Sequence, residues 1–148
     1  MKTLPIRIGA RHRIVAIATE AEDGGHDPCK TLAFFQEQAR AWQEEMEKLG
    51  AILTDTCENG PPHDQTKFKK LHGSNGLYEF KSSQGLRLIC FWDDGGLIVC
   101  THGYVKDAQK APKSEIELGQ RMMRDYFVAK QHNTLTHVGP GKKAISGI

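Results

Sequence analysis

The sequence has no Cys-x-x-Cys pair, no apolar run of membrane-spanning length and almost no net charge. Each absence excludes a class of protein. A transmembrane helix needs about 20 consecutive apolar residues, and no stretch comes near that. The N-terminus also lacks the apolar core of a secretory signal, so the reading is a cytoplasmic protein with no membrane partner. Cys29, Cys57, Cys90 and Cys100 have the spacing of neither a zinc ribbon nor a thioredoxin-type pair. Three of them stand in apolar or helical surroundings, where free cysteine packs as a small core residue in a reducing compartment. A hydrophobic share of 39% over 148 residues is enough for one domain with a real core.

The near-balance of 20 Lys+Arg against 18 Asp+Glu conceals a segregation. Residues 1–19 carry +4, residues 20–58 carry −7 and residues 67–113 carry +4. Such patterning suits one part of the chain to a polyanion and another to something else, although an ordinary solvated face also carries runs of charge.

Residues 13–18 are β-branched between polar residues and predict a strand. After a loop at 20–27, Asp27-Pro28 offers an N-cap followed by proline at the first helical position. Leu32, Phe35, Ala39, Trp42, Met46 and Leu49 then recur at spacings of three and four. This apolar stripe opposite an acidic face predicts a helix with its aromatics in the core. Gly50 is the expected place for it to split, and Asn59-Gly60-Pro61-Pro62 ends the apolar stretch that continues to Cys57. Residues 63–76 read as a polar, basic connection. Three strands follow, at 77–82, 86–92 and 97–102. Ser114-x-x-Glu117 predicts a capping box opening a C-terminal helix, whose apolar face is Ile116, Met122, Met123, Tyr126 and Phe127 and whose weak point is Gly119. One domain over residues 1–128 and a flexible tail over 129–148 complete the reading.

Turn length fixes strand register. Ser83-Gln84-Gly85 fits a three-residue hairpin loop with Gly85 left-handed, which sets Lys81 opposite Arg87, Phe80 opposite Leu88 and Glu79 opposite Ile89. A two-residue turn at Asp94-Gly95 sets Asp93 opposite Gly96 and Arg87 opposite His102. Alternation then gathers Tyr78, Phe80, Leu88, Cys90, Trp92, Leu97 and Val99 on a core face. Lys81, Arg87 and His102 form a row on the other, with Glu79 one step along. Like charges directly opposite repel, so this row makes sense around a bound anion such as a phosphate. A solvated sheet face is the plain alternative.

Residues 67–127 resemble the RelE/ParE superfamily of toxin–antitoxin toxins, most closely its HigB-like, phage-associated branch. The strings that carry the resemblance are KKLHGSNGLYEFK (69–81), GLRLICFW (85–92), THGYVKDAQKAP (101–112) and SEIELGQRMM (114–123). The chain departs from the family in carrying Asp107 where a second lysine is frequent and Lys81 where arginine is usual. The resemblance implies an α+β, microbial-ribonuclease-like fold: a twisted antiparallel sheet with two N-terminal helical segments on one face and a C-terminal helix. It also implies a toxin that cleaves mRNA in the ribosomal A site and is neutralised by a helix-turn-helix antitoxin.

Metal-free RNA cleavage requires activation of the 2′-hydroxyl, stabilisation of a dianionic phosphorane and a proton for the leaving 5′-oxygen. Arg87 suits the phosphate oxygens, Lys81 and Lys106 add positive charge, and His102 suits proton transfer near neutrality. Tyr104 can stack on a base or share the acid role. Glu79 is either a general base or the carboxylate that holds Lys81 or Arg87. Lys67, Lys69, Lys70, Lys110 and Lys113 would steer the polyanion without reading its sequence. No cluster has metal-ligand spacing, so no metal or cofactor is expected. A gyrase poison of the ParE type and a non-catalytic or decayed toxin fold are the alternatives.

Overall fold

A computed structural model describes residues 1–19, 28–107 and 112–139. Among these the elements run β1 (Lys2–Ile8), β2 (Arg13–Ala18), α1 (Lys30–Ala41), α2 (Gln43–Asn59), β3 (Phe68–Lys70), β4 (Tyr78–Lys81), β5 (Leu86–Asp93), β6 (Leu97–Val105), α3 (Lys113–Gln131) and β7 (Thr136–His137). One sheet takes the seven strands in the order β3-β4-β5-β6-β2-β1-β7. The class is α+β, but the sheet is mixed where an antiparallel one was expected. β3 to β6 form an antiparallel meander, whereas β2 lies parallel to β6 and β7 parallel to β1.

Both faces of the sheet are covered. Phe80, Leu86, Leu88, Cys90, Ile98 and Cys100 pack in one core with Phe34, Phe35, Met46, Leu49 and Leu53 of α1 and α2. Ile89, Phe91, Leu97 and Val99 belong to a second core with Met122 and Tyr126 of α3. The expectation that Leu97 and Val99 share the first face is thereby corrected, for a reason of turn length given below.

The apolar stripe of the N-terminal helical region is present, but the break falls at Trp42, not at Gly50. Trp42 leaves helical geometry at φ −151°, ψ 62°, and its indole lies 3.5 Å from where a Cβ on Gly85 would stand. Gly50 continues inside α2, buried. Cys29 occupies the N-cap position of α1, and Asp27 falls outside the described residues. At the other end the stop is as expected: α2 finishes at Asn59, with Gly60 at φ 95°.

Three strands have no clear pattern. β1 contains Pro5, tolerated because the ladder with β2 shifts register between Pro5 and Arg7. β3 is three residues long inside the basic connection. β7 lies beyond α3, which itself runs past residue 128 to Gln131. There Thr136 N–H donates to the Met1 carbonyl (3.1 Å), Val138 N–H to the Thr3 carbonyl (2.9 Å), and Thr3 Oγ1 hydrogen-bonds His137 Nδ1 (2.7 Å). The described part of the expected tail is therefore attached to the sheet edge.

At the start of α3 the capping box does not form, because the helix begins at Lys113 and Ser114 is already inside the first turn. Gly119 has a packing reason: a Cβ there would stand 2.9 Å from Leu77 Cδ1 and 3.1 Å from Ile89 Cγ2. Its small size sets how closely α3 approaches the sheet. No helix among the described residues is long and apolar enough to cross a membrane.

Candidate functional site

The β4–β5 hairpin has the expected register, with Lys81 opposite Arg87, Phe80 opposite Leu88 and Glu79 opposite Ile89. Gly85 is not among the glycines at positive φ. Its requirement is steric, since a Cβ would stand 3.0 Å from the Lys106 carbonyl oxygen.

The β5–β6 pairing departs from expectation twice. The turn holds three residues, Asp94-Gly95-Gly96, with both glycines at positive φ (79° and 74°), so Asp93 faces Leu97. A bulge at Thr101 adds a second slip: Cys90 faces Cys100, but Ile89 faces His102 and Arg87 faces Tyr104. Each slip by one residue exchanges faces. The first moves Leu97 and Val99 away from the α1–α2 side, and the second returns His102 and Tyr104 to the side of Arg87. The row is therefore Lys81–Arg87–Tyr104, not Lys81–Arg87–His102. His102 stands in the adjoining row with Lys69, Glu79 and Ile89.

Glu79 is fully buried at the centre of this face. Its Oε2 accepts a hydrogen bond from the Tyr104 hydroxyl at 3.0 Å, and its Oε1 lies 3.8 Å from Arg87 Nε. That second distance is an ion pair without a hydrogen bond, and neither atom has a hydrogen-bond partner among the described residues. The guanidinium is held instead by its Nη1, which donates to the carbonyls of Leu86 (2.9 Å) and Ser82 (3.3 Å). Lys81 Nζ donates to the Gln65 carbonyl at 3.3 Å.

Four cations, Lys69, Lys81, Arg87 and Lys106, thus influence one another around a single carboxylate. Burial, then the charges of Arg87 and Lys69, pushes the Lys81 ammonium below its usual pKa. Lys106 is lowered first by burial, with Glu79 opposing and Arg87 and Lys69 reinforcing the shift. Burial and Glu79 raise the Tyr104 phenol well above its usual range, so it remains a neutral donor. A cationic patch of this composition can bind an oxyanion, and an ammonium of lowered pKa can exchange a proton with a bound group.

His102 does not belong to that surface. It is 3% exposed; Nδ1 hydrogen-bonds Thr101 Oγ1 at 2.9 Å, and Nε2 lies 3.7 Å from Glu115 Oε1 of α3. Burial, with Lys30 adding to it, pushes its pKa down to about 4. The imidazole is neutral and covered, which removes the geometric basis for the expected proton-transfer role. It has a consequence for stability. Below pH 6.5 the unfolded chain takes up a proton that the folded chain refuses until about pH 4, so stability falls across that interval as pH drops. Between pH 7 and pH 5 this amounts to about 2 kcal/mol. Urea unfolding at the two pH values should show it, and His102→Gln should flatten the difference.

Of the residues expected to steer a polyanion, Lys67 and Lys70 are exposed at the ends of β3, and Lys69 lies between them within the row of Glu79. Lys113 is exposed at the start of α3, 3.8 Å from Glu117. Lys110 falls outside the described residues. Among the described residues no group of three or more His, Cys, Asp or Glu is arranged to hold a metal ion.

Sequence reasoning missed Glu45. This α2 residue is 2% exposed and accepts hydrogen bonds from Ser82 Oγ (2.7 Å), Gln84 N–H (2.6 Å), Lys48 Nζ (2.9 Å) and Ser83 Oγ (3.1 Å). It holds the loop that presents the Ser82 carbonyl to Arg87. Burial alone would raise its pKa, but these hydrogen bonds outweigh burial and hold it at about 2. The available signal was position: Glu45 is three residues after Trp42 and four before Leu49, a carboxylate on the apolar stripe.

Comparison with known families gives a match to a family model. The model described as "Phage derived protein Gp49-like (DUF891)" aligns with residues 37–124, from the second half of α1 into α3, and so contains every residue of the cationic face. No curated protein matches the chain.

Proposed function

The chain belongs to the Gp49-like, phage-derived family, a RelE/HigB-like toxin family of toxin–antitoxin systems, and from that premise we propose that it is an endoribonuclease that cleaves mRNA on the ribosome. Family membership implies an antitoxin as its partner; the ribosomal A site as the place of cleavage and a helix-turn-helix fold for that antitoxin are parts of the proposal. The observation that carries it is the row Lys81–Arg87–Tyr104, with Lys69 and Lys106 beside it, around the buried carboxylate of Glu79.

In this reading Arg87 holds the non-bridging oxygens of the scissile phosphate, and its charge stabilises the dianionic phosphorane. The 2′-oxygen attacks phosphorus and the bond to the 5′-oxygen breaks, leaving a 2′,3′-cyclic phosphate. The 2′-hydroxyl proton passes to one of the two lysines of lowered pKa, Lys81 or Lys106, and the other protonates the departing 5′-oxygen. Tyr104 stays a hydrogen-bond donor. Glu79 fixes Tyr104 and Arg87 and is not itself a base, since no exposed oxygen is left to it. Lys67, Lys70, Lys110 and Lys113 contribute non-specific attraction for the polyanion.

The test is purified protein in a cell-free translation system, with message ends mapped by primer extension. The expected result is discrete cuts in translated message, at an undiminished rate when EDTA chelates only the magnesium not needed by the ribosomes. A parallel gyrase supercoiling reaction should be unaffected. Intact message together with inhibited supercoiling overturns the proposal.

A further inference from the structure

Beside the cationic face lies a cleft of about 490 Å³, lined by Lys48, Ala51 and Ile52 of α2, Thr66 and Lys67 ahead of β3, Lys81 at the end of β4, and Ser83 in the following loop. Its volume falls within the roughly 300–1,000 Å³ typical of small-ligand sites. Residues 48, 51 and 52 lie on one face of α2 by helical spacing, so an ammonium and a small apolar floor line the same wall. Lys67 and Lys81 complete the basic lining from the β3–β4 side.

Two acids organise the polar groups from behind. Glu45 accepts from Lys48 Nζ at 2.9 Å and from Ser83 Oγ at 3.1 Å. Asp64 accepts from the Thr66 hydroxyl at 2.7 Å and from its N–H at 2.9 Å. The cleft is therefore basic but partly neutralised. Its continuity with the cationic face comes through Lys81, which lines the cleft and whose ammonium is shifted by Arg87, Lys69 and Lys106.

The geometry points to this cleft as the subsite for the nucleotide next to the scissile phosphate in single-stranded RNA, a conclusion that rests on the ribonuclease reading. A base covers Ala51 and Ile52, while its own phosphate meets Lys67 and Lys48. Lys81 is shared with the phosphate that Arg87 holds. Charge complementarity favours a polyanion over a basic protein segment, and Ala51 and Ile52 give a base an apolar surface to cover. The two hydroxyls of the lining, on Thr66 and Ser83, are already engaged by Asp64 and Glu45, so the subsite positions the strand and tolerates sequence.

The experiment uses the full chain in the translation system, with two variants that spare the buried structure: Ala51→Glu, at an exposed helix position, and Lys67→Ala. Arg121→Ala, a basic-residue loss elsewhere on the surface, is the control. The inference expects KM for message to rise roughly tenfold in both variants, with kcat within twofold of the parent and the control unchanged. Unaltered KM and cut-site pattern in both variants overturns it and leaves the ribonuclease reading standing. Unaltered cleavage with lost neutralisation by the antitoxin also overturns it, and assigns the cleft to a protein partner. A parent chain that cuts no message overturns this inference together with the reading beneath it.

Discussion

An Arg87→Ala chain expressed without its neutralising partner lets cells grow where the parent arrests them, and its rate of message cleavage is lower by about 10²–10³. The expectation follows from the one side chain on the cationic face that combines a permanent charge with a planar fork. It needs a folding control. Truncating Arg87 leaves Glu79 buried with no cation at 3.8 Å, and breaking a buried pair on one side costs about 3–5 kcal/mol. The double variant Arg87→Ala with Glu79→Gln removes both charges and keeps an acceptor for the Tyr104 hydroxyl. If it is folded by circular dichroism and inactive, the loss is one of phosphate binding. Full activity in that double variant would place the chemistry elsewhere.

Glu45→Ala is expected to be strongly destabilising, at roughly 3 kcal/mol, or a fall in Tm of about 10 °C for a domain of this size. Four donors converge on that carboxylate: Ser82 Oγ, Ser83 Oγ, Gln84 N–H and Lys48 Nζ. Alanine strands them at a loop whose backbone also anchors Arg87, so activity falls with stability. The pH dependence supplies an independent check. The folded pKa of about 2 lies below the ordinary 4.5, so the contribution is complete above pH 4.5 and is lost as pH falls towards 2. Parent and variant should converge in acid. A difference below about 0.5 kcal/mol at pH 7 would be that of an ordinary surface substitution and would refute the role assigned to Glu45.

The parts of the fold legible in the sequence were those set by local rules. The stripe from Leu32 to Leu49, the stop at Asn59-Gly60 and the loop at Ser83-Gln84-Gly85 depend on periodicity or on a few adjacent residues, and the structure has them. The break falls at Trp42, whose indole packs beside Gly85, a neighbour distant in sequence, whereas a one-dimensional pattern gives Gly50 as the weaker point. β1, β3 and β7 are short or contain proline and exist because a neighbouring strand supplies their hydrogen bonds. Register along β5 and β6 failed for a subtler reason. Asp94-Gly95 is a strong two-residue signal, but Gly96 extends the turn, and the Thr101 bulge has no marker of its own. Because two slips restore parity, Arg87 still has an even-numbered β6 residue opposite it on the correct face, and Tyr104 takes the place expected for His102. Burial decided the rest: no property of His-Gly-Tyr in the sequence separates a covered imidazole from an exposed one.

The parallel pairing of β2 with β6 sets an order on folding. Arg13 to Ala16 find their partners only in Leu97 to Cys100, so the sheet's central seam joins segments more than half the chain apart. Contacts of such separation carry a large loop-closure entropy and slow the search for the native state. During synthesis, the β1–β2 hairpin emerges first and waits with one apolar edge unpaired until β6 leaves the ribosome. The meander of β3 to β6, in contrast, closes through neighbours and holds the whole cationic row. The cationic face thus lies in the half that closes through local contacts, and the seam to β2 determines when the chain becomes a finished protein.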